Sequence, residues 1–416
     1  MSPTVDDYRA AARAWLPANL ERIDARVKRV RGIHNENPEE FVRARAIQRR
    51  LFDGGFAGIT WPKEYGGQGL SADHERVFVE EAEHFELPDF SVLQPTTFGV
   101  CGPTLLRHGS EALKKRHIPR ILSGEELWCQ FFSEPEAGSD MAASRTTAVR
   151  DGARWILNGS KVWSSLAHFA DYGLCLARTN WDVPKHAGLS WFVVPTNAPG
   201  LTINLIKELN GNTGFCQEFF DDVELPIDAL VGEENQGWSI VATSLLAAER
   251  GAGRVERSAP SFAAALAPDI VDLARRRGVL GDPNVRQRIA SVMTHQFAYE
   301  ALVVRTDQRM AITGDINSGE AAYPKLGRAT WNADRAKLLM EIGEASTVAW
   351  HHDDLASRSD ALKFLNGRLE SIAGGTSEVQ RNGIAERVLG LPREPSFDRD
   401  KPFAQVIRDA GNWTGR

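Results

Sequence analysis

The 416-residue sequence has few cysteines, no long apolar run and no long basic tract. Because no apolar stretch reaches about 18 residues, it predicts no membrane-spanning helix. The N-terminal sequence MSPTVDDYRAAARAW lacks the basic start and apolar core of a secretory signal peptide, so we expect a cytoplasmic protein. A formal net charge of −6 without a basic tract argues against nucleic acid as the main partner.

The cysteine pattern argues against disulfides and structural zinc. The sequence contains Cys101, Cys129, Cys175 and Cys216, which lie far apart and form no CxxC pair. Buried free thiols in a reducing compartment are the favoured interpretation. The run WHHDD at 350–354 resembles a metal cluster, but consecutive helical residues point in different directions and do not converge on one ion. The sequence therefore predicts no metal site.

Apolar periodicity divides the chain into an α–β–α order. Residues 1–125 repeat apolar side chains at helical spacing and predict a helical domain. Residues 126–235 contain short strand-like runs separated by glycine, proline and asparagine, with a hairpin turn predicted at Asn158-Gly159. Helical periodicity returns over 236–395, and 396–416 are predicted to be a loosely held tail.

The segment WCQFFSEPEAGSDMAASRTTA at 128–148 is suited to a polar ligand. Its small residues let backbone N–H groups come close to a bound molecule, and Ser133 and Ser139 add hydroxyl groups. The competing interpretation is an ordinary loop in which Ser139 and Asp140 cap a short helix. The residues alone leave both interpretations open.

The segment GSKVWSS follows in the same predicted domain. Trp163 offers an aromatic plane, and Ser164 and Ser165 offer hydroxyl donors beside it. A core tryptophan next to a turn is the competing interpretation.

Six segments, in order, resemble the acyl-CoA dehydrogenase family. They are FAGITWPKEYGGQGLS, PRILSGEELWCQFFSEPEAGSD, LNGSKVWSS, DDVELPIDALVGEENQGW, AAER and AGGTSEVQRNGIAERVLGLPRE. The resemblance implies an α+β fold with an N-terminal helical domain, a middle β-barrel-like domain and a C-terminal four-helix bundle. It also implies FAD as the cofactor and a tetramer that holds FAD at a dimer interface. The subgroup resembled most is that of bacterial steroid and branched acyl-CoA dehydrogenases.

The resemblance also implies which residues contact the cofactor. Carried over position by position, the FAD contacts fall on Gln130, Phe132, Ser133, Ser139, Trp163, Ser165, Arg277, Gly375, Thr376 and Glu378. Ser133 would bond the edge of the flavin ring, the Ser165 hydroxyl would approach N5, and Ser139 would also touch the pantetheine arm of the substrate. At the Gln130 position many relatives carry an aromatic residue.

Arg277 and Glu378 also depart from the family pattern. Arg277 resembles the arginine that reaches the flavin pyrophosphate across the dimer, yet it lies in a run of three arginines that also suits a solvated helix end. In SIAGGTSEVQRN, Gly375 would allow close backbone approach to the FAD adenylate, while Thr376 and Glu378 take phosphate- and ribose-contacting positions. Glu378 replaces the glutamine of some relatives, and a carboxylate there must accept from hydroxyls rather than meet phosphate oxygens.

The catalytic base is the next implication of the resemblance. Many members carry a glutamate where this chain has Gly374, but one subgroup places it in a Glu-Arg pair, which matches Glu249-Arg250. Glu249 would remove the α-proton and Arg250 would face the thioester or the dimer partner. A solvated Glu-Arg pair is the alternative. Glu370 is the next candidate base.

The resemblance implies oxidation of an acyl-CoA thioester to the 2-enoyl-CoA, with electrons passed to an electron-transfer flavoprotein. The expected assembly is a homotetramer or a heterotetramer with a related chain. One alternative is a non-catalytic or half-site subunit of such a heterotetramer, favoured by Gly374 and by the lack of a Gln-x-x-Gly-Gly motif in LLMEIGEAS. Another is a flavin oxidase or monooxygenase on the same fold. The bare Ala-Gly-Gly run favours bulky, branched or ring-bearing acyl groups.

Overall fold

The computed structural model describes residues 2–23, 36–241, 268–313, 319–349 and 354–411. These residues belong to two compact units. Residues 1–245 together with 395–416 form one unit, and residues 246–394 form the other. The helical N-terminal region and the β region therefore share a unit, and the C-terminal helices form their own.

The N-terminal helices bury one apolar face each. The first begins at a capping box in which Thr4 accepts from the backbone of Asp7, and the second begins after Asn37, whose side chain accepts from Glu39 N. Their buried side chains pack into one core with the third helix. The α-helices are Val5–Asn19, Pro38–Asp53, Ala72–Ala82, Leu93–Pro95, Gly102–His108 and Glu111–Ser123, with a π-helix at Thr96–Cys101. The predicted helical domain is confirmed.

The β region is an eight-stranded sheet around a second apolar core. Its strands are β1 Trp128–Phe131, β2 Thr147–Asp151, β3 Arg154–Ser165, β4 Tyr172–Arg178, β5 Leu189–Pro195, β6 Leu201–Ile206, β7 Phe215–Pro226 and β8 Leu230–Val231. The order is β6-β7-β3-β2-β4-β5-β8, and β1 pairs in parallel with β4. Trp155 on β3 belongs to this core, and Trp128 on β1 and Trp191 on β5 are also buried. The predicted β domain is confirmed.

The hairpin predicted at Asn158-Gly159 is wrong. Both residues lie inside β3, and the two-residue turn between β2 and β3 is Gly152-Ala153 instead. Gly159 marks a β-bulge opposite β7, with a φ of 147°. A Cβ at Gly159 would lie 2.6 Å from Thr146 Oγ1, so the glycine permits a close backbone approach rather than a chain reversal.

The C-terminal unit is helical, as predicted. Its helices are Pro268–Arg276, Pro283–Thr313, Ala322–Gly343, Leu355–Asn366 and Ser377–Arg387. Ile270, Leu273, Leu338 and Leu339 belong to the apolar core between the first three helices. Asp269 accepts from Lys363 Nζ at 3.0 Å and also pairs with Arg335. Burial works against the charged carboxylate, but the two cations outweigh it and hold the pKa of Asp269 below its ordinary value.

The predicted loose tail is wrong. Residues 395–411 belong to the first unit, and a helix at Phe403–Gly411 ends the described chain. Phe403 is 1% exposed, its ring stacks on Trp181, and its backbone N–H donates to Val183 O at 2.9 Å. Phe403 lies in a polar stretch, so the composition of the segment did not predict that it would be held in place. Burial of this one aromatic side chain stabilises the ordered segment.

All four cysteines are buried and free, which confirms the prediction for the thiols. Burial raises the pKa of Cys216 to about 11, that of Cys175 to about 12 and that of Cys129 well above its ordinary value. Of the helices that the structure describes, none is long and apolar enough to span a bilayer. Four residues of the WHHDD run, 350–353, lie outside the described residues, and the described part of the chain holds no metal-binding group of His, Cys, Asp and Glu.

Candidate active site

The loop that joins β1 to β2 is a compact structure of its own. Glu134 and Ala137 exchange backbone hydrogen bonds at 3.1 and 3.0 Å and close a tight turn. Ser139 and Asp140 follow on the surface, ahead of a 3₁₀ turn at Met141–Ala143. Asp140 occupies the cap position of that turn, but its side chain accepts from Lys185 Nζ at 2.7 Å instead of from the cap backbone.

A buried charge pair fixes this loop to β3. Lys161 Nζ lies 2.8 Å from Glu134 Oε1 and donates to Phe132 O at 3.0 Å, and the two side chains are 0% and 7% exposed. The carboxylate also accepts from the backbone N–H groups of Arg145 and Thr146 at 2.6 and 2.9 Å. Burial works to raise the pKa of Glu134, but Lys161 and these donors outweigh it and lower the pKa. The buried carboxylate is therefore held by one cation and two backbone N–H groups.

Beside this pair, β3 presents Trp163 to the outside. A register shift between Val162 and Ser164 leaves Trp163 unpaired in the ladder, with a φ of 68°. Its side chain is 58% exposed, although it contacts the Phe215 ring edge-on at a centroid distance of 5.8 Å. Positive φ is costly for a bulky side chain, and such strain concentrates at ligand sites. Val162 N donates to Ser133 O at 2.9 Å, which ties the loop directly to this bulge.

The neighbouring hydroxyl, on Ser164, points the other way. Ser164 Oγ donates to Glu218 Oε2 at 2.8 Å, and both side chains are buried. The expectation that Ser164 offers a donor beside the Trp163 plane is therefore wrong, because the bulge turns it inward. Among the described residues, Glu218 Oε1 has no hydrogen-bond partner. Burial is the main cause that raises the pKa of Glu218 to about 8, and it outweighs the opposing effects of Ser164 and Lys161.

The predicted flavin contacts of the first unit occupy two segments that the structure joins. Ser133 and Ser165 are half-buried, Ser139 is exposed, and none of the three hydroxyls has a hydrogen-bond partner in the described part of the chain. Gln130 is half-buried on β1, whereas the ring of Phe132 turns inward against Trp191 at 4.7 Å. Phe132 thus has its backbone, rather than its ring, near the loop surface.

The C-terminal glycine turn has a local explanation in its own unit. Gly374 and Gly375 have φ values of 67° and 87°, which glycine adopts without steric cost. The side chain of Gln380 folds back, and its Nε2 donates to Gly374 O at 3.0 Å. A Cβ at Gly375 would lie 2.7 Å from that nitrogen. Thr376 caps the helix Ser377–Arg387 by accepting from Val379 N at 3.2 Å.

Two further predicted residues, Arg277 and Glu378, lie on the surface of the C-terminal unit. Arg277 donates to Glu344 at 2.9 Å, and Glu378 is exposed 3.6 Å from Arg381. Glu249 and Arg250 lie outside the described residues.

Glu370, the alternative base, already has a cation as its partner. Its Oε2 lies 2.8 Å from Arg328 Nε. Its own unit therefore gives Glu370 a structural role.

Sequence reasoning missed the residues that hold the site together. Lys161 and Glu134 are in the quoted motifs, but 27 positions separate them in the chain, so no local spacing indicates their contact. Glu218 gives an equally weak signal, since it is one acidic residue in the strand pattern CQEFF. A charged residue in an inward-facing strand position is the signal that would have found Lys161 and Glu218, whereas Glu134 lies in the loop after β1 and gives no such signal.

The chain is similar to known proteins over almost its whole length. The descriptions "Acyl-CoA dehydrogenase, N-terminal domain", "middle domain" and "C-terminal domain" match residues 3–125, 129–223 and 235–389. Acyl-CoA dehydrogenase IpdE1 of Mycobacterium tuberculosis is 37% identical over 392 residues, covering 94% of this chain and 98% of that protein.

Two solved structures share the fold. The Tcur3481-Tcur3483 steroid ACAD has a TM-score of 0.73 at 30% identity and covers 95% of this chain and 99% of its own. The ChsE4-ChsE5 complex from Mycobacterium tuberculosis has a TM-score of 0.67 at 26% identity, with coverage of 95% and 99%.

The chain belongs to the acyl-CoA dehydrogenase family and is an acyl-CoA dehydrogenase. FAD is the cofactor of this family. The first unit fits an aromatic heterocycle, because the exposed indole of Trp163 lies on β3, the strand that also carries Ser165. The backbone N–H of Val162 on this strand donates to Ser133 O and so joins β3 to the loop of Ser133 and Ser139.

Replacing Lys161 by methionine should destabilise the first unit and weaken FAD binding. The substitution leaves a buried carboxylate without its cation, which typically costs about 3–5 kcal/mol of unfolding free energy. Urea unfolding and FAD fluorescence quenching measure the two effects. Lys207→Met is the matched control, because Lys207 is exposed just beyond β6. An equal loss of stability in both variants would contradict the assigned role of the pair.

Replacing Glu218 by glutamine should stabilise the protein in a pH-dependent way. The folded pKa of about 8 lies above the ordinary value of 4.5, so the folded state keeps a proton that the unfolded chain loses. Wild-type stability therefore falls as pH rises from about 4.5 to about 8, by at most about 1.4 kcal/mol per pH unit. The difference in Tm between Glu218→Gln and wild type should grow over this window and level off above it. Glu224→Gln, at an exposed position of the same strand, should show no such growth.

Proposed function

We propose that the protein oxidises an acyl-CoA thioester to the 2-enoyl-CoA in the cytoplasm and passes the electrons to an electron-transfer flavoprotein. The observation that carries the proposal is the loop of Ser133 and Ser139 bonded to the bulge of Trp163 in a chain 37% identical to an acyl-CoA dehydrogenase. This arrangement combines an aromatic surface with hydroxyl groups that have no partner among the described residues.

The cofactor residues proposed are those that the family resemblance indicates. The first unit supplies Gln130, Phe132, Ser133, Ser139, Trp163 and Ser165, and the second supplies Arg277, Gly375, Thr376 and Glu378. FAD would supply the hydride acceptor when bound. Ser133 and Ser165 would orient the ring by donating hydrogen bonds, and Ser139 would also contact the pantetheine arm.

The base proposed for the α-proton is Glu249, with Arg250 as a substrate contact. Gly374 has no side chain, and the carboxylate of Glu370 is paired with Arg328 at 2.8 Å. Each of these facts weakens the alternative position and supports Glu249. Removal of the α-proton also requires a positioned carboxylate, because an acyl-CoA α-proton is weakly acidic.

The substrate proposed is an acyl group that is bulky, branched or ring-bearing. Gly374 and Gly375 leave the turn without side chains. The similarity to the Tcur3481-Tcur3483 steroid ACAD supports a ring-bearing group.

A second candidate function is that of one chain in a mixed heterotetramer with a related chain. Two structural neighbours, the Tcur3481-Tcur3483 steroid ACAD and the ChsE4-ChsE5 complex, carry pairs of names. In such an assembly this chain would supply half of each site, and it would bind FAD weakly when alone.

An acyl-CoA panel under anaerobic conditions tests the proposed function. The FAD-loaded protein should lose its flavin absorbance with branched or ring-bearing acyl-CoA thioesters and respond more slowly to butyryl-CoA, because Gly374 and Gly375 place no side chain at the turn proposed to face the acyl group. Native mass spectrometry in the same experiment reports the oligomer and its FAD content. A preference for butyryl-CoA over every branched and cyclic thioester would contradict the substrate class. A flavin-free monomer unchanged by FAD would favour the mixed assembly.

Replacing Glu249 by glutamine should abolish flavin reduction while FAD binding persists. The amide has nearly the same shape but cannot accept the proton, so the reductive rate should fall by several orders of magnitude, in line with the typical general-base contribution of about 10²–10⁴. Stopped-flow flavin reduction measures this rate, with an acyl-CoA substrate that the wild-type enzyme oxidises. Glu234→Gln, at an exposed position, is the control and should keep the wild-type rate. A near wild-type rate in Glu249→Gln would remove Glu249 from the mechanism and direct attention to Glu370.

A further inference from the structure

We infer that the C-terminal segment 395–411 holds the loop 139–144 in place, and that Asp398 and Phe403 are positioning residues for that loop. The tail, the loop and the cations between them belong to the same compact unit. The inference rests on the proposed function for one point, namely that Ser139 in this loop meets FAD and the thioester.

Lys185 is the first connection between tail and loop. Its Nζ lies 2.7 Å from Asp140 Oδ2 and 2.6 Å from Asp398 Oδ2, so one cation joins a loop carboxylate to a tail carboxylate. Its side chain is largely buried. Burial works to lower the pKa of Lys185, but the hydrogen bonds to both carboxylates outweigh it and raise the pKa. Asp398 also accepts from Ser396, which orients it toward Lys185.

Arg178 is the second connection. It is 1% exposed, and its guanidinium donates to the loop carbonyls of Ala142 at 2.6 Å and Ser144 at 3.0 Å, and to Lys185 O at 3.1 Å. These acceptors are all backbone carbonyls. The ring of Phe403 lies 4.0 Å from the guanidinium carbon and covers its face, which adds a cation–π contact. Phe403 therefore closes the enclosure in which Arg178 holds the loop.

These contacts place three anchors within five residues directly after Ser139. They are the Asp140 carboxylate and the carbonyls of Ala142 and Ser144. Without the tail, water would reach both cations, and an exposed ion pair or carbonyl contact contributes little. The loop would then lose these constraints, and the backbone N–H groups of Arg145 and Thr146 at its end would separate from Glu134 more often. The tail therefore keeps this loop ordered.

The peptide bond between Arg145 and Thr146 reports the order of this loop. Arg145 is exposed, as trypsin requires, but both flanking N–H groups donate to Glu134. Cleavage after Arg145 therefore requires local opening, and its rate follows the population of the open loop when closing is fast. This readout does not depend on flavin or on turnover.

The test compares three full-length variants by limited trypsin digestion with mass-spectrometric identification of the cut. Asp398→Asn removes the tail carboxylate charge, and Phe403→Leu keeps an apolar side chain but removes the aromatic face. Each should raise the rate of cleavage after Arg145 about tenfold, in proportion to loop opening. Asp409→Asn is the control, because Asp409 pairs with Lys401 at 3.5 Å on the same tail and does not contact the loop. Its rate should stay within about twofold of wild type.

FAD fluorescence quenching on the same variants separates this inference from the proposed function. Faster cleavage together with weaker FAD binding supports both. Faster cleavage with unchanged FAD affinity supports the positioning of the loop by the tail and contradicts the assignment of the loop to FAD. Unchanged cleavage in Asp398→Asn and Phe403→Leu overturns the inference, and so does an equal increase in Asp409→Asn.

Discussion

The ion pair between Lys161 and Glu134 is the interaction on which the candidate site depends. A charge enclosed by a β domain is stable only when a partner and hydrogen bonds replace its water, and here one carboxylate receives a cation and two backbone N–H groups. The cation also holds Phe132 O, just before the turn. This one ion pair therefore fixes both ends of the loop between β1 and β2 against β3. Trp163 lies on the same strand, two residues after Lys161.

The same interior contains a second carboxylate in the opposite condition. Burial works to raise the pKa of both carboxyl groups. Lys161 and the backbone donors outweigh it at Glu134 and lower that pKa, whereas at Glu218 burial outweighs the hydrogen bond from Ser164 and raises the pKa. Environment, not residue type, decides which of the two carries charge near neutral pH. The neutral acid still fixes Ser164, and with it the direction in which the bulge turns its indole. The site thus depends on a group that lowers the stability of the fold around it.

Periodicity predicted the helices and strands because each buries a broad apolar face, and this pattern survives without knowledge of partners. The contacts that shape the site do not follow from it. Asn158-Gly159 has a hairpin sequence, yet the close approach of Thr146 makes it a bulge. Ser164 looked available because the bulge that turns it inward leaves no mark in the sequence. Phe403, a single apolar residue in a polar stretch, orders the tail through contacts with residues more than 200 positions earlier.

The buried cysteines have a consequence for the chemistry of a thioester. A free thiolate attacks thioesters and takes up their acyl group, leaving the enzyme modified and the substrate lost. All four thiols of this chain are enclosed, and burial raises the pKa of Cys129, Cys175 and Cys216 so that they stay protonated. These thiols are therefore protected from acyl transfer by a thioester substrate.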